Sequence, residues 1–188
     1  FRKDSPLRRG SQTVLFDILV ALTKLMAPVL SFTAEEIWRM LPESVRVDSK
    51  ADSVHLAMFP EVDPRWADAK LTERWEQLLE VRTAVQAALE VQRREKVIGA
   101  PLEAKVLIDA HSAQYNLLKT YGQDLPAFFI VSDVVLQSAP DLPEKPGFVI
   151  TVEKATGVKC ERCWNYRRSV GTSSDHPTLC DRCVEAVR

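Results

Sequence analysis

The four cysteines of this chain stand in two pairs of the same spacing, Cys160-Glu161-Arg162-Cys163 and Cys180-Asp181-Arg182-Cys183. Two C-x-x-C pairs at this separation are what a tetrahedral zinc ion needs from a segment too short to build its own core. Each pair turns tightly enough for both sulfurs to face one ion, and the intervening loop lets the second pair complete the tetrahedron. Soft thiolates suit zinc, and a site closed by four protein ligands keeps no open position for chemistry. The expected cofactor is therefore one structural zinc ion on Cys160, Cys163, Cys180 and Cys183, serving as a scaffold that presents a surface. Three other readings fit less well. Two disulfides would suit a secreted fold with its cysteines spread through it. A redox C-x-x-C comes singly, near a βαβ pattern. His176 is not needed as a ligand beside four thiolates and reads as a loop residue.

The same frame carries an aromatic and basic cluster: Arg162, Arg167 and Arg168 around Trp164 and Tyr166. Guanidinium groups neutralise phosphates, and an aromatic face stacks on an unpaired base. Trp164 follows Cys163 directly, so its competing role is to cover the metal and pack a minimal core. A second basic group, Arg93-Arg94-Glu95-Lys96, falls in the last turns of a long predicted helix. There Arg93, Arg94 and Lys96 either compensate the helix dipole or contact RNA. No catalytic constellation accompanies these surfaces. There is no G-x-x-x-x-G-K-[ST], no G-x-G-x-x-G and no G-x-S-x-G. His55, His111 and His176 are scattered, and the carboxylates lie on helix faces with basic neighbours.

Composition sets the limits around these residues. The formal net charge of −1 supplies no global attraction to nucleic acid, so any such contact must be local. Hydrophobic residues at 46% allow a real core outside the cysteine segment. No run of eighteen apolar residues exists, because Asp17, Thr23, Lys24 and Pro28 interrupt the stretch from Val14 to Leu30, and no membrane partner is expected. Thiols in metal-ligand spacing point to a reducing, cytoplasmic compartment.

The elements that must position the site follow from periodicity. Phe1 to Gly10 is basic and polar. Val14, Leu15, Ile18, Leu19, Leu22, Leu25 and Met26 recur at helical spacing from about Ser11, and Pro28 should end or kink that helix. A new helix is expected near Thr33, with Thr33 and Glu36 as a capping box and Phe32 with Ile37 as a hydrophobic staple. It should turn Ile37, Trp38 and Leu41 inward and stop before Pro42. Residues 43–66 read as loop-rich, with at best a short extended piece at Val54 to Pro60. From about Ala67 a long helix carries the stripe Leu71, Trp75, Leu78, Val85 and Leu89, one face of a bundle, with Arg82 as a departure that snorkels or pairs with an acid. Gly99 and Pro101 should end it. Beyond it, Ala104 to Ile108 and Phe129 to Leu136 read as strands around a helix at Ser112 to Tyr121. A third strand, Phe148 to Val152, follows a proline-rich link. A hinge at Thr156-Gly157 leads into the cysteine module. The expected fold is mainly an α-helical bundle (residues 1–100), then a small α+β subdomain (101–156) and a four-cysteine zinc module (157–188).

Longer stretches also resemble a known family. The segment from Lys24 to Trp38, with Ser53-Val54-His55-Leu56, Phe59-Pro60 and Arg94 to Gly99, resembles the anticodon-binding helical domain of class I aminoacyl-tRNA synthetases. Lys159 to Trp164 with Cys180 to Cys183 resembles the C-terminal zinc module of the bacterial isoleucyl-tRNA synthetase family, whereas the related valyl enzymes end in a coiled-coil arm. The resemblance covers nearly the whole chain. It implies a bundle and zinc module that grip the anticodon stem-loop of the tRNA for isoleucine. It also implies a monomeric parent enzyme that activates isoleucine with ATP, transfers it to the tRNA 3′ end, and hydrolyses mischarged valine in a separate editing domain. The HIGH and KMSKS signatures are absent, so the chain is expected to be a C-terminal piece, short of at least one bundle helix and without catalytic activity of its own. Its missing partners would be the catalytic and editing domains. Two alternatives stay open. One is the terminal zinc finger of a DNA-repair glycosylase, against which the Ala27-Pro28 segment and the α+β piece argue. The other is a zinc-stabilised protein-interaction module, which would show an exposed apolar patch and no salt-dependent affinity for RNA.

Overall fold

Residues 4–48 and 51–187 are described by the computed structural model, and the chain divides into two units, Phe1–Ala67 and Asp68–Arg188. The opening residues of the basic stretch read at Phe1 to Gly10 lie outside the described residues.

The first unit is helical. Helix α1 runs Pro6–Met26, starting earlier than its apolar stripe because Pro6 takes the first turn, where its missing N–H costs nothing. It ends two residues before Pro28, as expected. The face it buries differs from the expected one. Val14, Leu15, Ile18, Leu22 and Leu25 are exposed, while Thr23, Ala27 and half-buried Val20 pack inward. Helix α2 spans Ser31–Met40. Its first turn closes when the Ala34 N–H donates to the Leu30 carbonyl at 2.8 Å, so Thr33 lies inside the helix and does not cap it. The expected staple is absent too, since Phe32 is 93% exposed. Trp38 and Leu41 are buried and Ile37 half-buried, as the pattern required.

The loop-rich stretch folds onto α2 through two residues. Trp38 is fully buried, and its indole Nε1–H donates to the Ala51 carbonyl at 3.1 Å. The Glu35 carboxylate accepts the Ser53 hydroxyl at 2.8 Å and the Val54 N–H at 3.0 Å. A short helix α3, Glu43–Asp48, lies within this stretch, and Val54–Leu56 is a single helical turn where a short extended piece was expected.

The second unit begins with Asp68, whose carboxylate accepts the Leu71 N–H and caps helix α4, Ala69–Arg94. Of its expected stripe, Leu78, Val85 and Leu89 are buried, and Val81 joins them; Leu71 and Trp75 stay partly exposed. The stripe packs on a sheet, where a helical bundle was expected. The Arg82 guanidinium lies 5.3 Å from the Phe128 ring centre, and among the described residues it forms no ion pair with an acid. The helix also stops earlier than Gly99. Lys96 adopts φ 60, and its N–H and that of Val97 return to the Arg93 and Gln92 carbonyls, a left-handed cap built on lysine in place of glycine.

Strand β1 (Ala104–Ala110) is central, parallel to β2 (Asp133–Ser138) and antiparallel to β3 (Phe148–Lys154). Its side chains alternate as a half-buried strand must: Ala104, Val106, Ile108 and Ala110 are buried. They meet α4, Leu118 of α5 (Ser112–Thr120), and Leu125 and Phe129 of α6 (Leu125–Phe129) in one core. The strand expected from Phe129 begins only at Asp133. An apolar run such as Phe128 to Val131 is ambiguous between helix and strand on periodicity alone. Here it ends α6, reverses at Ile130 (φ 59) and buries both Phe129 and Val131. Gly157 then admits the chain to the cysteine module. Its φ is +106, and a Cβ there would lie 2.5 Å from the Arg167 carbonyl carbon.

Candidate metal centre and nucleic-acid interface

The first cysteine pair sits in the loop of a two-stranded hairpin, β4 (Val158–Lys159) and β5 (Tyr166–Arg167). The Trp164 N–H donates to the Cys160 carbonyl at 2.8 Å, and the Cys160 N–H to the Asn165 carbonyl at 3.0 Å, so the knuckle closes on itself. The second pair brackets the first turn of α7 (Asp181–Val187), where the Cys183 and Val184 N–H groups both donate to the Cys180 carbonyl. A bond of 3.2 Å from the Glu161 N–H to the Thr178 carbonyl ties the two knuckles together. Ser169 adds a strut, its hydroxyl 2.8 Å from the Asp181 carboxylate.

The four Sγ atoms lie within 4.8 Å of one another, with Cys163 and Cys180 at 3.7 Å. That separation is far beyond a disulfide bond and matches the roughly 3.8 Å edge of a tetrahedron with zinc–sulfur bonds of about 2.3 Å. All four are free thiols; Cys160, Cys180 and Cys183 are buried and Cys163 half-buried. The donor set therefore fits the expected ion: these four cysteines could hold one structural zinc. His176 instead supplies its carbonyl to the Leu179 N–H.

Burial and hydrogen bonding act on these thiols in opposite directions. Burial pushes the Cys180 thiol up to about 12 and raises that of Cys183. At Cys160 burial works the same way, but the N–H groups of Cys163, Cys180 and Arg162 aimed at its sulfur outweigh it and bring the thiol down to about 6. Each knuckle also contributes an arginine. Arg162 Nη1 stands 3.7 Å from Cys183 Sγ. Burial opposes the charge on Arg182, yet the Cys163 sulfur, and after it those of Cys183 and Cys180, hold that guanidinium protonated above its ordinary range. Arg162, read as an RNA contact, thus has a partner inside the module. Arg182 was not singled out from sequence, although its place in the second C-x-x-C repeats that of Arg162.

Trp164 does not cover the metal. It adopts the left-handed conformation (φ 63), stands 60% exposed, and has the Lys159 ammonium 5.5 Å from its ring centre. The sulfurs are packed instead by Val170 and Leu179. Tyr166 and Arg167 are half-buried and Arg168 exposed on the same hairpin. Arg93, Arg94 and Lys96 are all exposed at the end of α4, with Arg93 3.3 Å from Glu90. Among the described residues no hydrogen bond or ion pair joins this second patch to the zinc module.

Ser132 is the residue that sequence reasoning missed. It is fully buried, its hydroxyl donates to the Leu102 carbonyl, and it accepts the Tyr166 N–H at 2.7 Å. A serine between an apolar run and an aspartate carries no signal in sequence.

With this geometry in view, residues 1–108 match the family described as the anticodon-binding domain of tRNA ligase, and residues 157–186 match a zinc finger found in FPG and IleRS. The chain is 46% identical to an isoleucine–tRNA ligase of Geobacter sulfurreducens over 192 aligned positions, which take in 100% of the chain and 20% of that relative. It is 48% identical to one of Syntrophotalea carbinolica (98% of the chain) and 42% identical to one of Moorella thermoacetica (96%), again over 20% of each relative. The chain thus spans about a fifth of the length of the curated relatives it matches. The family match takes in α1 to α4 and reaches β1, more than half of the chain, and on that ground the chain belongs to the anticodon-binding domains of tRNA ligases.

Proposed function

We propose that this chain recognises the anticodon stem-loop of the tRNA for isoleucine, as the C-terminal part of an isoleucine–tRNA ligase working as a monomer in the cytosol. The observation that carries this reading is the order of the two matches, an anticodon-binding domain at residues 1–108 followed by the zinc finger at 157–186. The zinc finger alone would suit a DNA-repair enzyme equally well, and the helical region argues against that alternative. The parent enzyme would join isoleucine to its tRNA with ATP, in catalytic and editing domains that these residues do not supply.

An unpaired loop can splay its bases, so a protein reads them by stacking and edge contacts. Trp164, exposed on a rigid knuckle, offers the stacking face. Arg162, Arg167 and Arg168 around it, and Arg93, Arg94 and Lys96 at the end of α4, would neutralise flanking phosphates, which positions the loop without specifying its sequence. Tyr166 gives the hairpin a second aromatic surface. We read residues 1–100 as the helical part of the grip, 101–156 as the junction and 157–188 as the zinc module. The test is a titration of the zinc-loaded chain with the isoleucine anticodon stem-loop and with a duplex of equal charge, at two salt concentrations. Salt-sensitive preference for the loop is expected, and equal affinity for the duplex would sink the reading.

A further inference from the structure

The two C-x-x-C pairs share more than their cysteines. Each has an acid and then an arginine between them, Glu161-Arg162 and Asp181-Arg182. The acids do not take these arginines: among the described residues neither guanidinium stands in an ion pair with a carboxylate, and Asp181 accepts the Ser169 hydroxyl. Both arginines turn to sulfur, and each reaches the opposite knuckle. Arg162, from the first, has its Nη1 3.7 Å from Cys183 Sγ of the second. Arg182, from the second, places its hydrogen bond on the Cys163 sulfur of the first, and acts on Cys183 and Cys180 of its own pair only through space. Proximity in the chain does not force this crossing, because each arginine is covalently next to a cysteine of its own pair.

A divalent ion held by four thiolates leaves two negative charges on the centre. Cys160, Cys180 and Cys183 are buried, where a charge must find hydrogen bonds or a counter-charge. The sulfurs find them in different places. Cys160 Sγ accepts the Cys180 N–H at 3.3 Å, a backbone donor. Cys183 and Cys163 each receive a guanidinium. Two guanidinium groups match the charge the ion leaves over, and Arg167 is not needed, since it acts on Asp181. We infer that Arg162 and Arg182 form a reciprocal cross-brace over the zinc centre, each neutralising a thiolate of the opposite knuckle, tightening its hold on the metal and blunting its nucleophilicity. This rests on the zinc assignment and not on RNA binding. A guanidinium presents five N–H donors, so Arg162 keeps others free for a phosphate. Both arginines are exposed, so water screens them. The effect of each therefore belongs at the lower end of the roughly 10- to 100-fold range that groups bonded to metal ligands exert on metal affinity.

The experiment compares the unaltered chain with Arg162→Gln and Arg182→Gln, which keep a polar side chain and lose the charge. Chelator competition reads zinc affinity. Iodoacetamide, added at saturating zinc, reads sulfur reactivity: the sulfur forms a bond to carbon, iodide leaves, and peptide mass spectrometry locates the alkylated cysteine. Each variant should bind zinc roughly 10-fold more weakly. Alkylation should accelerate at Cys183 in Arg162→Gln and at Cys163 in Arg182→Gln, each relative to the same cysteine in the unaltered chain. Arg162→Lys, which keeps the charge without the fork, should recover most of the zinc affinity. Acceleration spread evenly over the four cysteines, or confined to the altered knuckle, would mean local loosening and overturns the cross-brace. Unchanged affinity and reactivity in both glutamine variants overturn it as well. Should Arg162→Gln take up no zinc, the lysine variant decides: zinc binding restored by lysine supports neutralisation, and its continued loss shows a packing role and ends the proposal. No RNA is present in these measurements, so a failure of anticodon recognition leaves the inference standing.

Discussion

The Ser132 hydroxyl accepts the backbone N–H of Tyr166 at 2.7 Å, and through this bond a strand-entry residue of the sheet sets the position of the zinc hairpin. Ser132 is itself held by its own N–H on the Ala104 carbonyl and by its hydroxyl on that of Leu102. Ser132→Ala leaves a partly buried N–H without a partner, which costs about 1–3 kcal/mol. Bound zinc should be unchanged, while hydrogen exchange at the Tyr166 amide accelerates. Unchanged protection there would show that the hairpin holds its place without the serine.

Cys160→Ser or Cys183→Ser should release the metal and unfold residues 157–187, leaving the α4–sheet core standing. The core is built from α4, the sheet, α5 and α6 and includes no cysteine. Zinc content by mass spectrometry should fall from one per chain towards none. Because burial keeps Cys180 protonated at neutral pH in the absence of metal, zinc must expel that proton to bind. Apparent affinity should therefore rise with pH and fall in acid, as a chelator competition at several pH values will measure.

Trp164→Ala should retain zinc and the fold, since the ring is mostly exposed, and should weaken anticodon-loop binding by about 1–3 kcal/mol. Trp164→Gly is the sharper control. It removes the ring while relieving the left-handed conformation, so thermal stability should hold or rise as RNA affinity drops. Affinity equal to that of the unaltered chain in both variants would leave Trp164 without a part in binding.

Glu35 carries a pH dependence of its own. The Ser53 hydroxyl first, then the Val54 N–H and Arg39, outweigh desolvation and hold its carboxyl below the ordinary value of 4.5. A carboxyl lowered in the folded state contributes stability that is present above that value and is lost as pH falls through the folded pKa. The first unit should thus loosen below about pH 4.5, read as faster exchange at the Val54 amide. Glu35→Gln keeps one acceptor and loses the charge, so it should be less stable near pH 7 and show a flatter acid limb.

Gly157→Ala should be among the most damaging single-methyl changes in the chain. The added carbon meets the Arg167 carbonyl carbon at 2.5 Å, and the φ of +106 is one that side chains rarely adopt. Zinc binding should weaken as the hairpin is pushed away from its entry point, whereas Gly10→Ala, with nothing within 4 Å, should be silent. Equal zinc affinity in the two variants would show that the hinge relaxes.

What sequence alone determined is local chemistry. Two short pairs of cysteines come together by turn geometry, so the four-thiol cluster and the zinc-finger character of the module were legible at once. Alternation along β1 and the cap at the start of α4 belong to the same class, because each depends on residues a few positions apart. The tertiary structure alone decided which faces meet. The α1 stripe recurs at helical spacing as read, yet its residues are exposed, while Thr23 of that helix and the Ala27 that follows it are buried. The apolar run at Phe128 to Val131 became the end of a helix and a turn. Lys96 took the left-handed cap that Gly99 was expected to supply. Long-range partners explain these differences: a hydrophobic pattern states that a face wants burial, and only packing states against what. The same holds for the zinc hairpin, where Arg167 and Arg168 were readable only as basic residues. The zinc hairpin is joined to the sheet by a hydrogen bond between Ser132 and Tyr166, 34 positions apart, that no local pattern encodes.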